Sequence, residues 1–140
     1  MRRRRTAGAL ALALTLAAAG CGSPSGDLIK VDRTGAGAGA RVTLVVSDDG
    51  TVRCNGGART PLGAERLLEA RQLARDLAKQ AALGLELPPG PAAGTTFRYR
   101  AELAEGTVAF ADSSRAAPRT FVRLAAITRR ISRDVCGLPR

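Results

Sequence analysis

Apolar and polar residues alternate along several stretches of the chain, which is the pattern of half-buried β-strands. The alternation is cleanest at residues 41–47, which follow a first apolar stretch at 27–34 and precede a short one at 51–54. A turn of the Asp-Asp-Gly type separates the second and third stretches, as in a hairpin. Residues 97–103 alternate in the same way and lead through a Glu-Gly turn into 108–110. The pattern predicts an N-terminal strand and two hairpins.

Apolar residues recur every three or four positions in two other stretches, which predicts amphipathic helices. The helical spacing of the first helix runs over residues 65–83, and we expect the helix to begin earlier, with Thr60 as its N-cap and Pro61 in its first turn. Prolines and glycines between 85 and 95 predict an extended connector. Pro118 can open the last helix. The positions of that helix expected to pack against the sheet are Phe121, Leu124, Thr128, Ile131 and Val135.

The order of these elements predicts the fold class, which is α+β. We expect an antiparallel sheet of about four to five strands, made of two hairpins plus an N-terminal strand, with two helices packed on one face. A single globular domain at residues 27–140 accounts for all of them.

The N-terminal residues have the pattern of a lipoprotein signal peptide. Four arginines precede an apolar run at 7–19, which is shorter than the ~20 residues that a membrane-spanning helix needs. Small residues then lead directly to Cys21, as in a lipobox. We therefore predict a signal peptide at 1–20, a lipidated Cys21 within a flexible tether at 21–26, and an extracytoplasmic location at the cell membrane. An uncut anchor or a secreted protein is the alternative, and the export route, general secretory or twin-arginine, stays open.

Two cysteines remain once Cys21 carries lipid. Exported proteins meet oxidising conditions, in which two otherwise idle thiols usually pair. We predict a disulfide between Cys54 and Cys136 that staples the last helix to the sheet. Two buried free thiols are the alternative.

Histidine is absent from the sequence, which excludes Ser-His-Asp and Cys-His catalytic arrangements. A zinc site would need four ligands, and two cysteines without histidine do not supply them. We therefore predict a protein that is not an enzyme and that has no cofactor and no metal.

The chain is basic, with a formal charge of +10 that falls to about +6 without the signal arginines. Arginines lie on the expected outer side of the last helix, where they could bind anionic phospholipid or an anionic wall polymer. A merely solvated arginine face in a protein from a GC-rich genome is the alternative. Export leaves no role for nucleic acid as a partner. The arginines in question are Arg119, Arg123, Arg130 and Arg133.

A strand that ends in Arg33-Thr34-Gly35 and continues through a glycine-rich loop to Gly39 resembles the start of the emfourin-like family, small inhibitors of thermolysin-like metalloproteases. The resemblance extends over about residues 28–131. It implies a compact α+β inhibitor that binds a protease without being cut, with Arg33, Gly35 and Gly39 at the motif positions. The chain also resembles uncharacterised lipoproteins of high-GC bacteria.

Two functional hypotheses follow from the sequence. The first is a membrane-anchored, non-catalytic binding module, with an extracellular protease as its most specific partner. The second is an envelope-structural protein that binds anionic lipid or wall polymer through the arginine-rich helix face.

Overall fold

The computed structural model describes residues 26–92 and 94–138. Six strands and two helices follow one another in the order β1 (Asp27–Thr34), β2 (Val42–Ser47), β3 (Thr51–Cys54), β4 (Arg59–Pro61), α1 (Ala64–Ala82), β5 (Arg98–Leu103), β6 (Gly106–Ala111) and α2 (Arg119–Asp134). All the strands form one antiparallel sheet with the order β4-β3-β2-β1-β5-β6. The predicted α+β class is confirmed, with one strand more than expected.

The additional strand is β4, and it contains Thr60 and Pro61, which we had expected to begin the first helix. That prediction is wrong. Thr60 pairs with Val52 of β3, and the helix begins at Ala64 after Gly63, which gives no side-chain cap. Pro61 has no backbone N–H group to donate. It is tolerated in the sheet because β4 is an edge strand, which has a neighbouring strand on one side only. Leu62 then turns into the core, where it is 1% exposed.

The hydrophobic core lies between one face of the sheet and the two helices. Strand β1 shows the alternation, since Ile29 and Val31 are buried under the helices while Lys30 and Asp32 are only partly covered on the open face. The rings of Tyr99, Phe110 and Phe121 stack in series, with centroids 5.0 and 4.8 Å apart. This stack joins β5 and β6 to α2, and all three rings are buried in the core.

The helices lie side by side and antiparallel, as their ion pairs show. Arg66 is 3.6 Å from Asp134, and Asp76 is 2.6 Å from Arg123 at the other end of the helix pair. Helix α1 follows the end of the sheet at which β1 begins. Its Arg71 binds Asp48 in the β2–β3 turn, whereas α2 lies toward the end at which β1 finishes.

The connector after α1 is more regular than its prolines suggest. The backbone N–H of Leu87 donates to the Ala109 carbonyl at 2.8 Å, and the N–H of Ala109 donates to the Leu85 carbonyl at 3.1 Å. These two bonds cover the outer edge of β6, which would otherwise be free to pair with another chain.

The predicted disulfide between Cys54 and Cys136 is present. It joins residues 82 positions apart, with 6.0 Å between their Cα atoms, and ties the end of α2 to the end of β3.

Candidate functional site

The glycine-rich loop between β1 and β2 is held by the side chain of Arg33. Alternation along β1 turns Arg33 toward the helix side of the sheet, where the residue is only 2% exposed. Its Nη2 donates to the Gly39 carbonyl at 2.7 Å and its Nε donates to the Ala40 carbonyl at 3.2 Å. These charge-assisted bonds fix the base of the loop, while residues 34–38 remain exposed.

The Phe97 ring packs against both Arg33 and Gly35. The Arg33 guanidinium carbon is 4.9 Å from the centroid of the Phe97 ring, within the range of a cation–π interaction. Gly35 packs on the same ring. A Cβ atom at position 35 would come within 2.7 Å of Phe97 Cδ1, which explains why this position carries glycine.

A cleft of about 400 Å³ opens between this pair and the C-terminal half of α2. We call it the arginine cleft, because four of its lining side chains are guanidinium groups and none is a carboxylate. Its apolar part comes from an aromatic ring and an alanine. The lining residues are Arg33, Phe97, Ala126, Arg129, Arg130, Ser132 and Arg133.

The arginines contributed by α2 each have a carboxylate partner outside the cleft. Arg129 Nη1 is 3.5 Å from Asp112 Oδ1 and donates to the Tyr99 hydroxyl at 3.3 Å. Arg133 Nε donates to Asp134 Oδ1 at 2.6 Å, and Arg130 binds Glu69 of α1. These guanidinium groups are nearly half exposed, so their contacts can be exchanged at little cost.

Arg33 differs from them, since it forms no ion pair with a carboxylate in the described part of the chain. Two of its three nitrogens bind loop carbonyls, which leaves Nη1 without a hydrogen-bond partner among the described residues. Among those residues, the fully buried side-chain polar atoms without a partner are Ser113 Oγ and Thr120 Oγ1. Arg33 lines the cleft, although only 2% of the residue is exposed.

Tyr99 forms part of the support of the cleft through Arg129. Burial raises the pKa of the Tyr99 hydroxyl, and the charge of Asp112 acts in the same direction. The hydroxyl is thus held neutral and accepts the hydrogen bond from Arg129. This contact positions the Arg129 side chain at the border of the cleft.

The predicted basic face of the last helix is divided between the cleft and the surface outside it. Arg130 and Arg133 line the cleft, together with the buried Arg33. Arg123 instead binds Asp76 of α1 at 2.6 Å, and Arg119 is exposed at the start of α2, outside the cleft. The structure therefore brings three of the predicted arginines to one site, with Gly35 and Gly39 in the adjoining loop.

Four residues that line the cleft were not among the predicted binding residues: Phe97, Ala126, Arg129 and Ser132. Phe97 begins the alternating stretch 97–103, but it is only partly buried and stands at the edge of the cleft. Ser132 lies on the side of α2 that faces the cleft. The one signal for Phe97 was its place directly before the strand that pairs with β1, where Tyr99 is opposite Arg33.

A second depression, of about 350 Å³, lies on the open face of the sheet. It mixes Arg98 and Arg100 with Asp32 and Glu86, so its charges are balanced. A surface with balanced charges does not favour the binding of ions of one sign. None of the predicted binding residues lines it.

Other predictions of the sequence concern residues outside the described ranges. The signal peptide and Cys21 lie there, as do residues 22–25 of the tether. Among the residues that are described, no helix is long and apolar enough to span a membrane. The same residues contain no cluster of three or more Cys, Asp or Glu side chains able to hold a metal ion.

Two comparisons with known proteins gave no match to this chain. No protein-family model matches the chain, and no curated protein matches it.

Proposed function

We propose that the chain is an exported lipoprotein, anchored through Cys21, whose domain binds an anionic ligand in the arginine cleft without catalysing a reaction. The observation that carries the proposal is the state of Arg33. Its guanidinium is buried and fixed by the carbonyls of Gly39 and Ala40, yet one nitrogen is free of partners in the described structure. A cation held in this way is prepared for an anion.

The chemistry of the cleft suits a carboxylate or a phosphate group. Guanidinium nitrogens match the spacing of the oxygens in both groups and can bind them through two parallel hydrogen bonds. Because the carbonyls already fix Arg33, little side-chain entropy is lost when the ligand binds. Arg129 and Arg133 add positive charge at the entrance, where the Phe97 ring offers an apolar wall.

The test is the affinity of the soluble domain, residues 22–140, for polyphosphate as a model anion. Replacing Arg133 with Met should weaken binding by about tenfold, since a hydrogen bond to a charged group contributes roughly 1.5–3 kcal/mol. Arg119→Met removes the same charge from the same helix, outside the cleft, and should change the affinity by less than about twofold. Isothermal titration calorimetry at two salt concentrations measures both. Equal losses in the two variants would mean that only net charge matters and would contradict the proposal.

The anchor is tested separately from the cleft. Cys21→Ser should abolish lipid labelling of the protein and release it from the membrane fraction of the cells that produce it. The domain variant Cys54→Ser/Cys136→Ser should retain the lipid, because neither thiol belongs to the lipobox. A Cys21→Ser protein that stays in the membrane would favour the uncut anchor instead.

Protease inhibition is a second candidate, favoured by the exposed loop. Residues 34–38 are exposed while Arg33 fixes the base of the loop, and a pre-formed loop is what a standard inhibitor presents to its protease. The resemblance to emfourin-like inhibitors at this loop supports the same function. The domain should slow a thermolysin-like enzyme stoichiometrically and remain uncut.

Two alanine positions provide a matched pair for that assay. Ala36→Lys, in the exposed loop, should abolish inhibition, whereas Ala104→Lys, exposed at the opposite end of the sheet, should leave it unchanged. Absence of inhibition by the unmodified domain at micromolar concentration would exclude this candidate and leave the anion site unaffected.

A further inference from the structure

The two ends of the sheet differ in their relation to the anchor. Strand β1 begins at Asp27, six residues after Cys21, and it runs toward the arginine cleft. Arg33 lies six residues further along, which is about 20 Å in an extended strand. The end with Asp27 is the anchor end of the domain, and the end with Arg33 is the cleft end.

The length of chain before β1 limits how the domain can sit on a membrane. Six residues reach at most about 21 Å when fully extended. If the cleft end rested on the bilayer, Asp27 would be about 20 Å above it, so the connection to Cys21 would have to be stretched almost completely. An average Gly/Ser-rich chain of this length spans only about 13 Å. The geometry therefore favours the anchor end toward the membrane.

Charge favours the same orientation. The anchor end carries four carboxylates and three arginines, and two of these arginines are bound to carboxylates: Arg71 to Asp48 and Arg59 to Asp49, while Arg75 is the third. Anionic headgroups offer such a surface no attraction. The four carboxylates are Asp27, Asp48, Asp49 and Glu105.

The cleft end carries positive charge beyond the cleft itself. Arg41 precedes Val42, which pairs with Arg33, and Arg98 pairs with Thr34. Both arginines are exposed, and neither has an ion-pair partner within residues 26–92 and 94–138. Several cations at intervals match a chain of repeated anionic groups better than one small anion.

We infer that the arginine cleft faces away from the membrane and takes an anionic polymer of the envelope, and not the headgroups of the bilayer in which Cys21 is anchored. The inference rests on the proposed function, because it requires the lipid at Cys21. It assigns the anchor end a positioning role and the cleft end the binding role.

The experiment uses residues 21–140 on vesicles that contain a maleimide lipid. With Cys54 and Cys136 in a disulfide, Cys21 is the one thiol available for coupling. The matched control carries Cys21→Ser and a cysteine added after residue 140. Its chain end follows Leu138, which is hydrogen-bonded to Ser132 beside the cleft, so coupling there should hold the cleft against the bilayer.

Binding of labelled polyphosphate is compared between the two anchored forms and the free domain, on anionic vesicles. The Cys21-anchored form should bind with an affinity within about twofold of the free domain, and the control should bind at least about tenfold more weakly, since headgroups would occupy its cleft. An equal loss in both anchored forms would overturn the orientation. Failure of the free domain to bind polyphosphate would contradict the proposed function instead.

A second measurement tests the orientation without any ligand. A clickable amino acid at position 36 or 105 carries a donor fluorophore, and the headgroups carry the acceptor. In the Cys21-anchored form, energy transfer should be clearly weaker from position 36 than from position 105. Equal transfer from the two positions, or stronger transfer from position 36, would refute the inference.

Discussion

The disulfide between Cys54 and Cys136 should contribute a large share of the stability of this domain. It closes a loop between residues 82 positions apart. In the chain-entropy treatment, a loop of that length lowers the entropy of the unfolded chain by an amount that corresponds to about 4.5 kcal/mol at 25 °C. Domains of this size unfold with roughly 5–15 kcal/mol. Reduction should therefore remove about 30% or more of the free energy of unfolding.

Urea unfolding, followed by circular dichroism with and without a reductant, measures this contribution. The midpoint should fall on reduction, and the urea dependence should steepen because the unfolded chain without the cross-link exposes more surface. Cys21→Ser is the matched control, since it removes a thiol that lies outside the domain. Its unfolding curve should be superimposable on that of the parent.

Two results would refute this reasoning. One is a loss below about 1 kcal/mol on reduction, which would mean that the unfolded chain gains little freedom when the cross-link opens. The other is the mass of the exported, unreduced protein after alkylation, if it showed modified Cys54 and Cys136.

Three further predictions concern single positions. Gly106→Ala should destabilise the domain by about 3 kcal/mol in urea unfolding. The backbone φ angle of Gly106 is 148°, and a Cβ atom there would come within 2.3 Å of the Ala81 carbonyl oxygen in α1. Gly26→Ala is the control and should be neutral, because a Cβ atom at position 26 would meet nothing within 4 Å. Burial raises the pKa of Tyr99, the one tyrosine of the sequence, so absorbance at 295 nm should show its phenolate only at a pH above the ordinary tyrosine pKa. Because the folded state then retains the proton to higher pH than the unfolded state does, the free energy of unfolding should fall as the pH rises beyond about 10. The hydrogen bond from Arg123 lowers the pKa of Asp76, so Arg123→Ala should raise that pKa in an NMR titration, and the pair should lose its stabilising effect as the pH falls below about 4.

The strands and helices could be predicted largely from periodicity. The helical periodicity at 65–83 matches helix α1 at Ala64–Ala82, because its buried residues recur at helical spacing over five turns, although the expected start at Thr60 and Pro61 was wrong. Strand β4 could not be predicted in this way. It has three residues, too few for an alternation, and a Thr-Pro pair occurs equally at the start of a helix. Its pairing with β3 depends on the turn that precedes it, which is a tertiary effect.

The site could be predicted only in parts. Arg33 and the glycine loop were indicated by a local motif, and the arginines of α2 by their helical spacing. Which carboxylate each of those arginines binds was not predictable, because that depends on where α1 places its side chains. Asp76 and Glu69 bind Arg123 and Arg130, and these contacts join residues 47 and 61 positions apart. Sequence spacing carries no information on such pairs.

Arg33 shows how one residue can serve both the fold and the proposed site. A guanidinium has three nitrogens, and here two of them are bound to loop carbonyls at 2.7 and 3.2 Å. The same bonds that fix the loop fix the plane of the group, so the direction of the remaining nitrogen is set before any ligand arrives. A lysine could not do this, since its ammonium has no plane to be fixed. Under the proposed function, the two hydrogen bonds that hold this buried arginine in the fold also orient it for an anion.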